Sequence, residues 1–301
     1  MVHKAGFVNI IGNPNVGKST LMNRLVGEKL SIITSKAQTT RHRILGIGHM
    51  LKPGREADEN YQIVLSDTPG ILQPAYELQH SMMDFVRTAF EDADILLYII
   101  ESGESELKDP SFFAKIQHSK IPVILLINKI DLSTQEEVVG QMKIWQDKLP
   151  NAIIYPISAL NNFNLQVLLE KIIELLPESP PYYPKDQLTD KSERFFVNES
   201  IREKILLNFK KEIPYAVEIE TESFEEEENI IRIRSVIMVE RDTQKGILIG
   251  HKGLALKRIG SEARFDLEKF FEKKIFLELY VKVNKDWRSN ERQLKRFGYK
   301  E

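Results

Sequence analysis

Along the first half of the chain, short apolar runs alternate with longer stretches whose apolar positions recur every three or four residues. Ala5–Ile11, Tyr61–Asp67, Asp94–Ile100, Pro122–Asn128 and Ala152–Ile157 are rich in Ile, Val and Leu and read as strands. Lys18–Val26, Glu77–Glu91, Ser111–His118, Gln135–Leu149 and Asn164–Leu176 read as the helices between them. Such alternation predicts a mainly parallel sheet with helices on both faces. Ile44–Leu51 reads as one more strand. The polar stretch Lys52–Asn60 reads as a turn into Tyr61–Asp67, which predicts an antiparallel edge pair.

The alternation stops at Pro177. The segment Pro177–Pro184 holds four prolines in eight residues, a stiff, extended composition suited to a linker. The order of elements then changes. Asp190–Phe209 reads as a long helix, and Ala216–Ser223 and Asn229–Glu240 as strands around an acidic turn, Glu225–Glu228. Thr243–Ile249 and Leu254–Phe271 read as helices, Lys274–Val283 as a strand, and Asp286–Phe297 as a basic final helix. The expected organisation is an α/β domain over 1–177, a Pro-rich linker over 178–190 and a smaller α+β domain over 191–301.

Composition sharpens this picture in three ways. With 42% apolar residues, a chain of 301 can build a core in each domain. The formal charge of −2 makes no global field, but it is unevenly spread: residues 241–301 hold 16 Lys/Arg against 9 Asp/Glu. A basic end on an acidic chain points to a polyanionic partner. The absence of cysteine excludes disulfides, thiolate zinc sites and thiol catalysis. The first apolar run, Phe7–Ile11, is too short for a signal peptide, and charges interrupt every candidate membrane span. The cytoplasm is the expected address, and nothing calls for an obligate oligomer.

Chemistry enters between the first strand and the first helix. Gly12, Asn13, Pro14, Asn15, Val16, Gly17, Lys18 and Ser19 fit GxxxxGK[ST], with Thr20 next. The glycines let the backbone curl so that its N–H groups face phosphate oxygens, and the helix adds its positive dipole end. Lys18 is expected to bridge the β- and γ-phosphates, and the Ser19 hydroxyl to ligate Mg²⁺. About 50 residues on, Asp67, Thr68, Pro69 and Gly70 end another strand. Asp67 is expected to hold Mg²⁺ through water, and the Gly70 amide to meet the γ-phosphate. Asn128, Lys129 and Asp131 end a third strand. A carboxylate at Asp131 can accept from both N1–H and the exocyclic amine of guanine, a pair that adenine lacks. The stem of Lys129 can lie over the base, and the Ala159 amide of Ser158-Ala159 can reach guanine O6. Each signal sits at the carboxyl end of a strand, the edge where open parallel sheets bind ligands. GTP is therefore the expected substrate.

These residues resemble the translation-factor-type branch of the GTPases, and more specifically the Era family. Ser35–Arg43 is similar to that family's first switch almost residue for residue. The resemblance implies that one threonine serves Mg²⁺ and the γ-phosphate; Thr40 is favoured, with Thr39 as the alternative. Lys18, Thr40 and Gly70 are then the catalytic candidates. Ras-type GTPases place a water-orienting Gln directly after this Gly, whereas here Ile71 stands in that position. No obvious arginine finger can be read, with Arg41 and Arg43 as candidates, so slow intrinsic hydrolysis that depends on positioning or an activator is expected. Asn15 matches the asparagine that related GTPases use for K⁺. Two readings of it stand, a K⁺ ligand or a residue that shapes the loop.

In the second domain, Gly250, His251, Lys252 and Gly253 form a GxxG between two helices, the loop with which KH domains clamp a single-stranded backbone. Lys257 and Arg258, with Lys245 and Arg264, flank the expected groove. The element order from Asp190 onward resembles a type II KH domain, and Val239–Gly253, Leu277–Val283 and the tail from Trp287 to Tyr299 are similar to the Era ending. The resemblance spans nearly the whole chain. It implies a GTP switch that binds small-subunit ribosomal RNA near its 3′ end and assists assembly of the 30S subunit. It also implies peripheral contact with the cytoplasmic face of the membrane. The residues alone stop at GTP-gated binding of single-stranded RNA, with a GTP-binding but non-catalytic RNA module as the alternative. For Arg288–Arg296 a solvated face is the first expectation and an RNA contact the second.

Overall fold

A computed structural model describes residues 2–48 and 60–300. The chain divides into two compact units, one of Met1–Ala75 with Gln79–Asp190 and one of Tyr76–Leu78 with Lys191–Glu301.

The first unit is built on strands β1 (Lys4–Ile11), β2 (Ile44–Gly48), β3 (Tyr61–Asp67), β4 (Ile95–Glu101), β5 (Val123–Asn128) and β6 (Ile153–Pro156). Between them run α1 (Lys18–Val26), α2 (Glu77–Glu91), α3 (Pro110–Gln117), α4 (Gln135–Lys148) and α5 (Leu165–Leu175). The sheet order is β2-β3-β1-β4-β5-β6, parallel throughout except for β2 against β3. The apolar runs ILLYIIE and VILLIN in β4 and β5 are covered on both faces, as central parallel strands must be. Helix starts follow local chemistry. Asp109 accepts from Ser111 N at 2.9 Å ahead of Pro110 in α3, and Thr134 and Glu137 form a capping box for α4. The expected extension of β2 as far as Leu51, and the turn at 52–59, lie outside the described residues.

The Pro-rich segment is extended, but it is bonded along the first unit instead of standing free. Ser179 N donates to His3 O at 3.1 Å, Ile47 N to Leu188 O at 2.8 Å, and Leu45 N to the Asp190 carboxylate at 2.9 Å. Gln62 of β3, fully buried, accepts from Tyr182 N and Tyr183 N and donates to Tyr183 O at 2.9 Å. Periodicity carries no signal for such a strap, because its partners are backbone groups far away in sequence.

The second unit contains α6 (Glu193–Asn208), β7 (Glu218–Glu226), β8 (Ile230–Val239), α7 (Asp242–Ile249), α8 (Leu254–Phe271), β9 (Lys274–Val283) and α9 (Glu291–Arg296). β7 pairs with β8 antiparallel, and β8 with β9 parallel. Val197, Ile201 and Ile205 of α6 pack with Ile233, Ile237, Leu248, Ile259 and Ala263 in the core. Two sequence expectations need correction. The acidic run does not form one loop: Glu225 and Glu226 belong to β7, opposite Arg232 and Ile231, and the turn is shorter. The final basic helix is broken into a 3-10 turn, Trp287–Ser289, and α9, because Asn290 adopts an extended backbone and caps α9 by accepting from Gln293 N at 3.1 Å. Two basic side chains of this tail are matched within the unit. Arg296 pairs with Glu220 at 2.6 Å, and Arg288 pairs with Glu240.

Gln62→Leu should leave two backbone N–H groups and one carbonyl of the strap without partners. It is expected to lower stability by roughly 1–3 kcal/mol. Urea unfolding of the full chain measures this, and an unshifted midpoint would show that the strap is not held by Gln62.

Candidate functional site

The carboxyl ends of β1, β3, β5 and β6 deliver the sequence-predicted residues to one edge of the sheet. The phosphate loop leaves β1 through Gly12 and enters α1 through Gly17, whose φ of 102° lies in the region that favours glycine. Space is as restrictive as conformation here. A Cβ at Gly12 would meet Ile99 O at 2.2 Å, and one at Gly17 would meet Asn128 Nδ2 at 2.2 Å. Gly70 is similarly confined, with Pro14 N and Cα 2.7 Å from its ideal Cβ.

A cavity of about 400 Å³ opens over this loop. Its walls are Pro14, Asn15, Gly17, Lys18, Ser19 and Thr20, the segment from Ile32 to Thr40, Gly70 and Lys129. Three oxygens from three separate segments converge at its floor. Ser19 Oγ lies 2.7 Å from Asp67 Oδ2 and 2.9 Å from Thr40 Oγ1, and Thr40 Oγ1 lies 3.4 Å from the same carboxylate oxygen. Thr39 is turned elsewhere: its hydroxyl bonds to Thr34 Oγ1 and Lys36 O, both at 2.6 Å. The other Asp67 oxygen, Oδ1, is buried with no hydrogen-bond partner. Burial pushes the Asp67 carboxyl above the usual carboxylate range, against the opposing bonds and the charge of Lys18. Burial likewise lowers Lys18 to about 8, although Asp67 and Glu104 oppose it. The Lys18 ammonium donates to Asn13 O at 2.8 Å and Gly12 O at 3.2 Å.

The remaining motif residues surround this floor. Asn128 is buried; it donates to Val16 O at 2.7 Å and accepts from Ala159 N at 2.9 Å, so the Ala159 N–H is already engaged. Lys129, at φ 62°, pairs with Glu101 at 2.8 Å. Asp131 is exposed on a 3-10 turn, Ile130–Leu132. Ser158 is buried. Thr68 donates to Ile10 O at 2.7 Å, behind the cavity. Asn15 donates to Ser35 O at 2.9 Å. Arg43 is committed to Asp92, at 2.6 Å, and to Ser66. Ile71 is fully buried, with its N–H on Gly12 O at 3.0 Å.

The second unit presents its own site. Gly250, Lys252 and Gly253 have φ of 72°, 49° and 77°, and a Cβ at Gly250 would meet Ala255 Cβ at 2.6 Å. His251 and Lys252 are exposed at the tip of this turn. Beside it runs a groove of about 390 Å³ between α8 and β9. Lys257 and Arg264 line it, whereas Arg258 is exposed and does not. Phe276, Leu277 and Leu279 of β9 supply an apolar wall that motif reading missed. Its sequence signal was Gly260 in mid-helix: a Cβ there would lie 3.3 Å from Leu279 Cδ1.

Comparison with known proteins follows the same two-part division. A family described as 50S ribosome-binding GTPase matches residues 7–129, and one described as KH domain matches residues 212–288. GTPase Era of Syntrophus aciditrophicus is 46% identical over 304 aligned residues, covering 100% of this chain and 97% of that protein. GTPase Era of Geobacter metallireducens is 43% identical, covering 98% of each. A crystal structure of Era in complex with MgGDPNP and nucleotides 1506–1542 of 16S ribosomal RNA superposes with a TM-score of 0.92 at 38% identity, covering 99% of both chains. A variant of Aquifex aeolicus Era bound to GDP and AlF4⁻ gives 0.91 at 38% identity, covering 98% of this chain and 99% of that one.

An anion bound at the Lys18 ammonium favours its charged form and raises its pKa. Above about pH 8, nucleoside triphosphate binding should therefore take up a proton, and near pH 7 it should not. Calorimetry in two buffers of different ionisation heat reads the uptake. Equal proton counts at both pH values would contradict the buried, depressed ammonium.

Proposed function

The chain belongs to the Era family of GTPases, and we propose that its GTP cycle gates binding of small-subunit ribosomal RNA near the 3′ end and so assists 30S assembly. The observation that carries this reading is the meeting of Ser19, Thr40 and Asp67 oxygens under the phosphate loop. It is supported by a related protein solved with both a Mg²⁺-bound GTP analogue and that segment of 16S RNA.

The donor set fits Mg²⁺: two hydroxyls, one carboxylate and an unpartnered buried carboxylate oxygen are hard oxygen ligands. Ser19 and Thr40 would hold the ion, with Asp67 acting through water. When bound, Mg²⁺ neutralises charge on the phosphate oxygens. Lys18 binds the β- and γ-phosphates, and with the metal it gives two disfavoured buried charges their partners. The Gly70 amide serves the γ-phosphate. Asp131 selects guanine, Lys129 covers the base, and Asn128 holds the Ser158-Ala159 loop in register.

Hydrolysis proceeds here without a side chain that orients water at position 71, because Ile71 is buried. Arg43 is held by Asp92, and Arg41 is buried. Positioning and added positive charge are what remain. The Asn15 amide N–H is bonded to Ser35 O, which ties the phosphate loop to the first switch, and K⁺ as the supplementary cation belongs to this reading through the resemblance. The GxxG and its groove bind the single-stranded RNA. Its backbone would meet His251 and Lys252, and its bases the apolar wall. Peripheral contact with the cytoplasmic face of the membrane belongs to this reading through the resemblance. Among the described residues no helix is long and apolar enough to cross a membrane.

Single-turnover GTP hydrolysis with purified small ribosomal subunits tests the switch. Acceleration by the subunits, greater in K⁺ than in Na⁺ buffer, is expected; no turnover would leave a GTP-binding module that does not hydrolyse. Asp131→Asn should shift preference from GTP to XTP by at least about tenfold in relative affinity, because the acceptor pair is lost. An unchanged GTP affinity would remove Asp131 from the base site. Replacing both His251 and Lys252 by Asp should abolish binding of a 16S 3′-end oligonucleotide and leave GTP affinity intact, as read by separate titrations.

A further inference from the structure

The loop between β4 and α3, Ser102–Asp109, carries no recognised motif, yet it is bonded to the phosphate loop. Asn13 is buried, and its side chain faces away from the cavity. Its Nδ2 donates to a Glu104 carboxylate oxygen and to Glu106 O at 3.0 Å, while its Oδ1 accepts from Lys108 N at 3.0 Å. Asn13 also supplies the backbone carbonyl that receives the Lys18 ammonium.

Glu104 is anchored in turn. Its second carboxylate oxygen accepts from Glu101 N at 3.0 Å. Its carbonyl accepts from Gln141 Nε2 at 3.0 Å and Trp145 Nε1 at 3.3 Å, both on α4. Trp145 is 1% exposed, so this anchor is part of the core. Gln141 closes the turn from the other side by accepting from Gly103 N at 3.0 Å, where φ is +90°.

We infer that Glu104 is a positioning residue for GTP: it fixes Asn13, and through Asn13 the backbone that seats Lys18 beneath the phosphates. The inference rests on the GTPase reading of the cavity. Glu104 makes no hydrogen bond to a cavity-lining residue; it restricts the first turn of the phosphate loop through Asn13, and its charge also reaches the buried Lys18 ammonium. A carboxylate suits the position because both of its oxygens receive N–H donors. A glutamine there sets an amide donor against one of them.

The test uses the full chain with Mg²⁺ and GTP in titration calorimetry, after the parent has been shown to bind GTP. Failure of the parent to bind would sink the GTPase reading, not this assignment. Glu104→Gln is expected to weaken GTP about tenfold, one unsatisfied donor pair's worth. Asn13→Ala should give a similar loss. In the Asn13→Ala background, Glu104→Gln should cost clearly less than the roughly tenfold it costs in the parent, because the bond it would break is already gone and only the loss of its charge near Lys18 remains. Thermal unfolding of each nucleotide-free variant reads any general loss of stability, which would not produce this coupling. Parent-like GTP affinity in both single variants, or losses that multiply in the double variant, would overturn the assignment. Should Glu104→Gln fail to fold, parent-like affinity of Asn13→Ala alone overturns it.

Discussion

The Asn128 side chain spans the gap between loops that are far apart in sequence. It donates to Val16 O at 2.7 Å and accepts from Ala159 N at 2.9 Å, at the end of β5. Gly17 must be glycine beside it, since a Cβ would lie 2.2 Å from the amide nitrogen. One buried amide thus holds the phosphate-loop turn and the loop after β6 in a common frame. Removing it would strand a buried acceptor and a buried donor, at about 1–3 kcal/mol each. The base end of the site is therefore preorganised by neutral hydrogen bonds. The phosphate end is organised differently. There, Lys18 and Asp67 are buried together and burial disfavours the charged form of each.

That contrast explains what could be read from the sequence. Residues with local reasons for their position were legible. Gly12 and Gly17 lie where a strand turns into a helix, and Asp67 and Asn128 end apolar strands. Lys18–Val26, Glu77–Glu91 and Leu254–Phe271 have the bounds that periodicity predicts. The choice between Thr39 and Thr40 was open on sequence. In the structure Thr40 Oγ1 lies beside Ser19 and Asp67, and the Thr39 hydroxyl bonds to Thr34 and Lys36. Residues with distant partners were not legible. Asn13 looked like part of the nucleotide site, but its side chain belongs to the loop after β4. Nothing in the spacing of Gln62 announces that it holds Tyr182 and Tyr183.

The second unit shows the same limit in its electrostatics. A count of charges predicts a basic end. The structure spends much of that charge internally, on Arg296 with Glu220, Arg288 with Glu240 and Lys300 with Glu291. The exposed pairs among these, at Arg296 and Lys300, contribute little stability. They do lower the field available to a polyanion. The cations left at the groove are Lys257 and Arg264, beside an exposed His251-Lys252 tip. RNA affinity should therefore depend on a few phosphate contacts and on stacking against Phe276 more than on the net charge of the tail.

The two ends of the cavity are built differently: Asn128 ties the loops at one end with neutral hydrogen bonds, and Lys18, Asp67 and Thr40 lie buried at the other. Thr40 lies four residues before β2. β2 is bonded on one side to β3, which ends in Asp67, and on the other to Leu188–Asp190. The strand that follows Thr40 and the end of the Pro-rich strap are therefore bonded to each other within the first unit. The buried Gln62 amide, bonded to Tyr182 and Tyr183, ties the same strap to β3, so the edge of the sheet is extended by a segment that has no strand periodicity of its own.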